Sequence, residues 1–202
     1  WCHRAIEAGF HVIVDKPSFL SQSEMESVME LAAARGRCVA ESTVWPFHPQ
    51  VTLALETFDR LAVKPQSIQA TFSFPPLPTD NFRNDPARGG GCFNDLGPYA
   101  VSVGRVFVCE DPIEVWCRIL RRDPETKINT GFALTMLYPG GCVFQGFFSF
   151  QTEYRNSISL LGAGVSVTLD PVFSSQKNNA HDVSIRIGNQ TELRSVAPED
   201  SF

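Results

Sequence analysis

A chain of 202 residues, 43% hydrophobic and 19% charged, is long enough to bury a substantial core and too apolar to be disordered. Its formal net charge of −5, with 17 scattered lysines and arginines, does not supply the basic surface that a phosphate backbone requires, which argues against a nucleic-acid partner. The longest apolar runs, such as Val143 to Phe150, fall far short of the roughly 20 residues that span a bilayer, so no membrane segment is expected. In chain order, residues 1–9 read as the end of a helix, with Ala5, Ile6 and Ala8 apolar and Gly9 in the stop position. His11-Val-Ile-Val-Asp15 follows as a β-branched run suited to a buried strand, and Lys16-Pro17 ends it because proline has no N–H for the ladder. Ser21 and Glu24 form a capping-box pattern, after which Met25, Val28, Met29 and Ala32 recur at helical spacing until Gly36. Cys38 to Ser42 reads as a second short strand. Such helix–strand–helix–strand alternation is the signature of a parallel sheet with crossover helices.

The pattern changes after Phe47-His-Pro-Gln50. One more amphipathic helix is expected through Leu61, with Val51, Leu55, Phe58 and Ala62 on one face. Eight alternating runs follow, punctuated by turns: Ser67–Phe74, Glu114–Leu120, Phe132–Tyr138, Cys142–Phe150, Asn156–Leu161, Ser166–Asp170, Val183–Ile187 and Glu192–Val196. Pro139-Gly140-Gly141 should close one hairpin, and Gly162-Ala-Gly164 reads as a strand-to-strand turn rather than a dinucleotide fingerprint, since no helix follows it. Only Cys92 to Val108 interrupts the strands as a helix. The expected fold is therefore α/β followed by α+β: the end of a Rossmann-type parallel sheet over residues 1–43, then a large, mainly antiparallel sheet domain over 44–202 with helices on one face.

The six cysteines (Cys2, Cys38, Cys92, Cys109, Cys117, Cys142) show no paired spacing. That argues against a metal site and for reduced, mostly buried thiols in a cytoplasmic protein. Opening on Trp1-Cys-His-Arg and closing on Ala197-Pro-Glu-Asp-Ser-Phe202, the sequence reads as a piece of a longer chain.

Three stretches could carry chemistry. Asp15-Lys16-Pro17 sets a lysine just past the carboxyl end of a parallel strand, where ligands sit in open α/β sheets. There it either polarises a substrate oxygen or is an ordinary surface lysine. In Gly89-Gly-Gly-Cys-Phe-Asn-Asp-Leu-Gly-Pro-Tyr99, the glycines permit close approach of the backbone, and Asp95 and Tyr99 share one helical face. Tyr99 is either a proton donor, which a nearby Lys16 cation would assist by favouring the phenolate, or a core tyrosine behind a capping aspartate. His48, in Glu41-Ser-Thr-Val-Trp-Pro-Phe-His-Pro49, is either an acid–base or substrate-contact group or the residue that opens the next helix ahead of Pro49.

Together these stretches resemble the family named after glucose–fructose oxidoreductase, inositol dehydrogenase and MocA. That family's Glu-Lys-Pro motif is similar to Asp15-Lys16-Pro17 with the preceding Ala8-Gly9-Phe10-His11-Val12. Its Gly-Gly-Gly stretch, followed by Asp and then His or Tyr, is similar to Gly89–Gly91, Asp95 and Tyr99, with Arg83-Asn-Asp-Pro86 just before. Within the family, Tyr99 with Glu153-Tyr-Arg-Asn-Ser157 and Leu161-Gly162 most resembles ketoreductases of nucleotide-linked deoxysugars, and also dihydrodiol and glucose–fructose enzymes.

The resemblance implies an NAD- or NADP-dependent transfer of hydride to or from a sugar-like alcohol or ketone. It implies Lys16, Tyr99 and Asp95 as catalytic residues, Lys16 and Pro17 at the nicotinamide, and Arg83, His48 and Asp95 at the substrate. It also implies a homo-oligomer paired through the antiparallel sheet. The family's glycine-rich pyrophosphate turn and its closing helices have no counterpart in these 202 residues, so the chain as given is expected to be inactive by itself. Two other readings stay open: a non-catalytic family member, and a sheet domain that serves only for assembly.

Overall fold

Local punctuation sets the first elements. In the computed structural model, which describes residues 1–175 and 179–199, the chain divides into two compact units, Trp1–Thr43 and Val44–Phe202. In the first unit α1 (Cys2–Glu7) leads to β1 (Val12–Asp15), α2 (Gln22–Arg35) and β2 (Val39–Ser42). The α2 helix starts where the Ser21 hydroxyl accepts from the Glu24 amide at 3.2 Å, a cap of about 1 kcal/mol. It stops at Gly36, whose left-handed backbone lets Arg37 N–H reach the Ala32 carbonyl at 2.9 Å. β1 and β2 pair in parallel, Val12 beside Val39 and Asp15 beside Ser42. Ile6, Val28 and Ala32 form the small core that binds α1 to α2.

Val28 and Ala32, one turn apart, supply the buried face of α2, whereas Met25 and Met29 stand 41% and 47% exposed. The helical spacing alone did not separate them, because four apolar residues span a wider arc than one small neighbour covers. Phe10 and Ile13 are exposed as well.

The second unit is one eight-stranded sheet, ordered β10-β9-β8-β7-β3-β6-β5-β4. Its strands are β3 (Ser67–Ser73), β4 (Glu114–Arg122), β5 (Asn129–Leu137), β6 (Val143–Ser149), β7 (Arg155–Gly162), β8 (Val165–Leu169), β9 (His181–Ile187) and β10 (Gln190–Val196). All neighbours are antiparallel except β3 and β6, which run parallel through the centre. Helices α3 (Pro49–Arg60) and α4 (Cys92–Phe107) cover one face, α3 against β8 and β9, and α4 against β5, β6 and β3. The covered face carries alternate residues: Ile68, Ala70 and Phe72 on β3, and Phe144 and Phe148 on β6, with Phe132 and Phe148 stacked at 4.9 Å. Val51, Ala54, Thr57 and Phe58 are the buried face of α3. Ala62, expected on that face, lies past the helix end with φ 53° and is exposed.

On the uncovered face the register aligns Trp116, Thr135, Gln145, Gln69, Ser159, Thr168, Ser184 and Leu193 in one row across all eight strands. Its middle is hydroxyl and amide, and its ends, Trp116 and Leu193, are exposed apolar groups. The α4 helix runs through Pro98, which has no N–H to give the Asn94 carbonyl. Burial of Leu96, Ala100, Val103 and Phe107 carries the helix across that gap. All six cysteines are free thiols, but only Cys92 and Cys142 are buried; Cys38, Cys109 and Cys117 are exposed. The expectation of mostly buried thiols is thus corrected: Cys117 lies on edge strand β4, which neither helix contacts in quantity.

Candidate active site

The carboxyl ends of β1 and β2 carry the first cluster. Lys16 follows β1 directly, its amide held by the Asp15 carboxylate at 2.8 Å, and its peptide to Pro17 is cis. Two residues on, Ser18 gives both its amide and its hydroxyl to Glu41 Oε2, at 3.0 and 2.9 Å. Thr43 Oγ1 donates to Glu41 Oε1 at 2.7 Å. Partial burial works against ionisation of Glu41, yet the bonds from Thr43 and Ser18 and the charge of Lys16 outweigh it and hold its carboxyl below the usual range. Glu41 was not singled out from the sequence. The signal available was its place, in a parallel neighbour, beside Val14 and so next to the exit of β1.

The second cluster begins in the loop before α4. Asn81 and Asp85 cap two short helical turns, Phe82–Asn84 and Pro86–Arg88. The chain then doubles back so tightly that Gly90 N–H bonds the Asp85 carbonyl and Gly91 N–H the Arg83 carbonyl, each at 2.9 Å. A Cβ on Gly90 would stand 2.5 Å from the Arg83 oxygen and 2.7 Å from that of Asp85, so only glycine fits. The Asn129 side chain accepts from Phe93 N–H and fixes the start of α4.

This folding brings Arg83 onto Asp95: Nε donates to Oδ2 at 2.8 Å, with Asp95 only 11% exposed. The Arg83 guanidinium also stacks over the Phe82 ring at 4.6 Å. One turn along α4, Tyr99 sits edge-on to Phe72 at 5.3 Å and tilted against Phe173 at 5.3 Å. Trp45 Nε1 donates to Ser102 Oγ at 2.9 Å, and Ser102 in turn donates to the Tyr99 carbonyl at 3.0 Å. Burial, reinforced by the Asp95 charge, pushes the neighbouring Cys92 thiol far up, so it stays protonated.

Phe173 is held from elsewhere. Asn156, fully buried, accepts from Val172 and Phe173 amides at 3.0 and 2.8 Å and donates to Tyr154 and Ser174 at 3.1 and 3.0 Å. Asn156 therefore shapes the apolar wall behind Tyr99. The sequence marked the segment only through its resemblance, without a reason for the asparagine.

His48 lies at the start of α3. It is the N-cap of α3, its Nδ1 accepting from Gln50 N–H at 3.3 Å ahead of Pro49, and it is wholly buried. Its ring meets His181 edge-on at 5.2 Å. Burial first, and His181 second, hold it below the ordinary histidine value, against an opposite pull from Glu199. These surroundings explain His48 as a buried capping residue of α3. Among the described residues no group of His, Cys, Asp and Glu could hold a metal ion, and no helix is long and apolar enough to cross a membrane.

These elements define a sheet domain with a glycine loop, an ion-paired aspartate and a tyrosine on one helix, joined in sequence to a parallel strand pair ending in lysine. Residues 63–168 match the GFO/IDH/MocA C-terminal domain, and the chain belongs to that family. All of it aligns, at 28% identity, with 62% of an uncharacterized oxidoreductase, ORF334, of Rhizobium meliloti. It likewise aligns, at 26% identity, with 62% of the dTDP-3,4-didehydro-2,6-dideoxy-α-D-glucose 3-reductase of Streptomyces antibioticus. The crystal structure of KijD10, a 3-ketoreductase from Actinomadura kijaniata in complex with NADP and TDP-benzene, has the same fold, with a TM-score of 0.88 at 23% identity over all of this chain and 62% of that one. The chain thus spans less than two thirds of these relatives' length.

Proposed function

We propose that this chain forms the carboxyl-terminal part of an NAD(P)-dependent oxidoreductase acting on a sugar-like alcohol or ketone. The observation that carries the reading is the Asp95–Tyr99 face of α4, where a phenol stands one turn from a carboxylate fixed by Arg83. Family membership and the reductases among its relatives support it. A bound nicotinamide supplies a hydride, given or taken at its C4 atom. The donor set fits the near edge of such a site: Lys16 and the following turn lie at the open carboxyl ends of two parallel strands, where dinucleotides bind in this class of sheet. Residues 1–43 are then the end of a Rossmann domain, whose exposed Ile13 and Met29 are consistent with a larger sheet and its helices.

Lys16 holds the substrate oxygen and offsets the negative charge that grows on it during reduction. Tyr99 gives that oxygen its proton, or removes it in oxidation. Asp95, anchored by Arg83, orients the substrate's hydroxyls. Pro17 shapes the turn that presents Lys16 and lines the nicotinamide pocket. Substrates are nucleotide-linked deoxysugars or related sugars, and the six free thiols suit the reducing cytoplasm. Subunits pair through the uncovered sheet face, whose polar row ends in Trp116 and Leu193.

The test is oxidation of NADH or NADPH by the native gene product on addition of sugar-like ketones, and the reverse with alcohols. Turnover with one class supports the reading. Cofactor binding with no turnover across the panel would instead favour a non-catalytic family member.

A further inference from the structure

The carboxyl end of β2 holds a group for which the reaction just described has no role. Parallel pairing sets Glu41 beside Val14 and Ser42 beside Asp15, so the chain leaves β1 into the Lys16 turn next to the Glu41 side chain. A single carboxylate there receives three hydrogen bonds, two from Ser18 and one from Thr43, at 2.7 to 3.0 Å. Its backbone carbonyl takes a fourth, from Thr43 N–H at 3.0 Å. On the other side of Lys16, Asp15 Oδ1 holds the Lys16 amide. The backbone is therefore pinned by a carboxylate immediately before the lysine side chain and again two residues after it. Lys16, Pro17 and Ser18 are half-buried, and the two carboxylates satisfy amides of this turn that would otherwise compete for water.

We propose that Glu41 is the positioning residue for Lys16: by clamping Ser18 it fixes the turn that aims the lysine at the substrate oxygen. The inference rests on the role given to Lys16 above. Glu41 touches neither substrate nor cofactor; it acts through the turn. Its ionised state, maintained by the same hydrogen bonds and by Lys16, makes the amide and hydroxyl bonds charge-assisted and so roughly twice as strong as neutral ones. Small errors in aim are costly to a reaction that needs reacting atoms in register, with losses of up to about a hundredfold for a displacement of about 1 Å.

The experiment compares Glu41→Ala, Glu41→Gln, Ser18→Ala and Lys16→Met in the native gene product, by kcat, KM for NADPH and thermal midpoint. Glu41→Ala should lower kcat about ten- to hundredfold while KM for NADPH moves less than about threefold. Glu41→Gln, which keeps an oxygen for the Ser18 amide, should restore most of that loss. Should Glu41→Ala fail to fold, Ser18→Ala decides: it removes one of the two clamping bonds and should lower kcat in the same direction with the cofactor KM unmoved. Wild-type kcat in Glu41→Ala, or in Ser18→Ala where that variant decides, alongside a dead Lys16→Met, overturns the positioning role and leaves the reading of Lys16 intact. Wild-type kcat in Lys16→Met overturns both.

Discussion

Replacing Gly90 by alanine tests whether the loop before α4 is held by close backbone approach rather than by its sequence of turns. The added Cβ would lie 2.5 Å from the Arg83 oxygen, 2.7 Å from the Asp85 oxygen and 2.9 Å from the Arg83 carbonyl carbon. All three are backbone atoms, so no side chain can swing aside. Relief requires opening the loop, which breaks the 2.9 Å bonds from Gly90 N–H to Asp85 and from Gly91 N–H to Arg83. Two hydrogen bonds at about 1 kcal/mol each, with overpacking of about 1–3 kcal/mol, give a loss of about 3–5 kcal/mol. Alanine's lower entropy in the unfolded chain returns about 0.4–1 kcal/mol, leaving about 2–4.6. Gly97 is the control. It is inside α4, its Cβ would meet nothing within 4 Å, and alanine there should stabilise by about 0.5–1 kcal/mol. Urea unfolding of both variants at unchanged m-value measures the contrast. A Gly90→Ala protein as stable as wild type, or a Gly97→Ala protein that loses as much as Gly90→Ala, would refute the reasoning.

Asn156→Ala leaves the buried Val172 and Phe173 amides without partners, at about 1–3 kcal/mol for each, so a loss of about 2–6 kcal/mol is expected in denaturant titration. Because His48 is held below its ordinary value by burial, the unfolded chain takes up a proton there, near pH 6.5, before the folded one does. The stability due to neutral His48 is therefore complete above that pH and lost as pH falls below it. His48→Asn keeps a capping oxygen for Gln50 N–H and should flatten this acid limb in thermal melts between pH 7 and about 5; an unchanged slope would contradict the assignment. Gly104→Ala would place a Cβ 1.8 Å from the Tyr138 hydroxyl, which must then leave Met136 Sδ, and a loss of about 1–3 kcal/mol should appear in the same titrations.

Much of this was legible because it is local. The alternation in Ile68-Gln-Ala-Thr-Phe72 or Ile158-Ser-Leu160 states which face is buried before any partner is known, and Ser21, Gly36 and Pro49 punctuate the helices by chemistry that acts within a few residues. The spacing of Asp95 and Tyr99 put them on one helical face. What stayed hidden was pairing over long distances. That β3 runs parallel to β6 while antiparallel to β7 is a choice among neighbours far apart in sequence. The same applies to Arg83 on Asp95 and to Asn156 behind Phe173. Glu41 was overlooked because its worth comes from the strand beside it. Ala62 went wrong at a helix end, where an apolar residue prolongs the pattern although the backbone has already turned to positive φ. Exposure of Cys117 and Val115 follows from their place on an edge strand, which alternation within β4 cannot reveal.

The most direct test of the proposed chemistry is the kcat of Lys16→Met and Tyr99→Phe in the native gene product, with cofactor dissociation constants measured on the same samples. Both substitutions remove one polar function and retain most of the side-chain volume, so folding should survive. If Lys16 charges the substrate oxygen and Tyr99 supplies its proton, kcat should fall by about a hundredfold or more in each, with cofactor affinity within about threefold of wild type. Wild-type turnover in either variant would contradict the roles given to these residues.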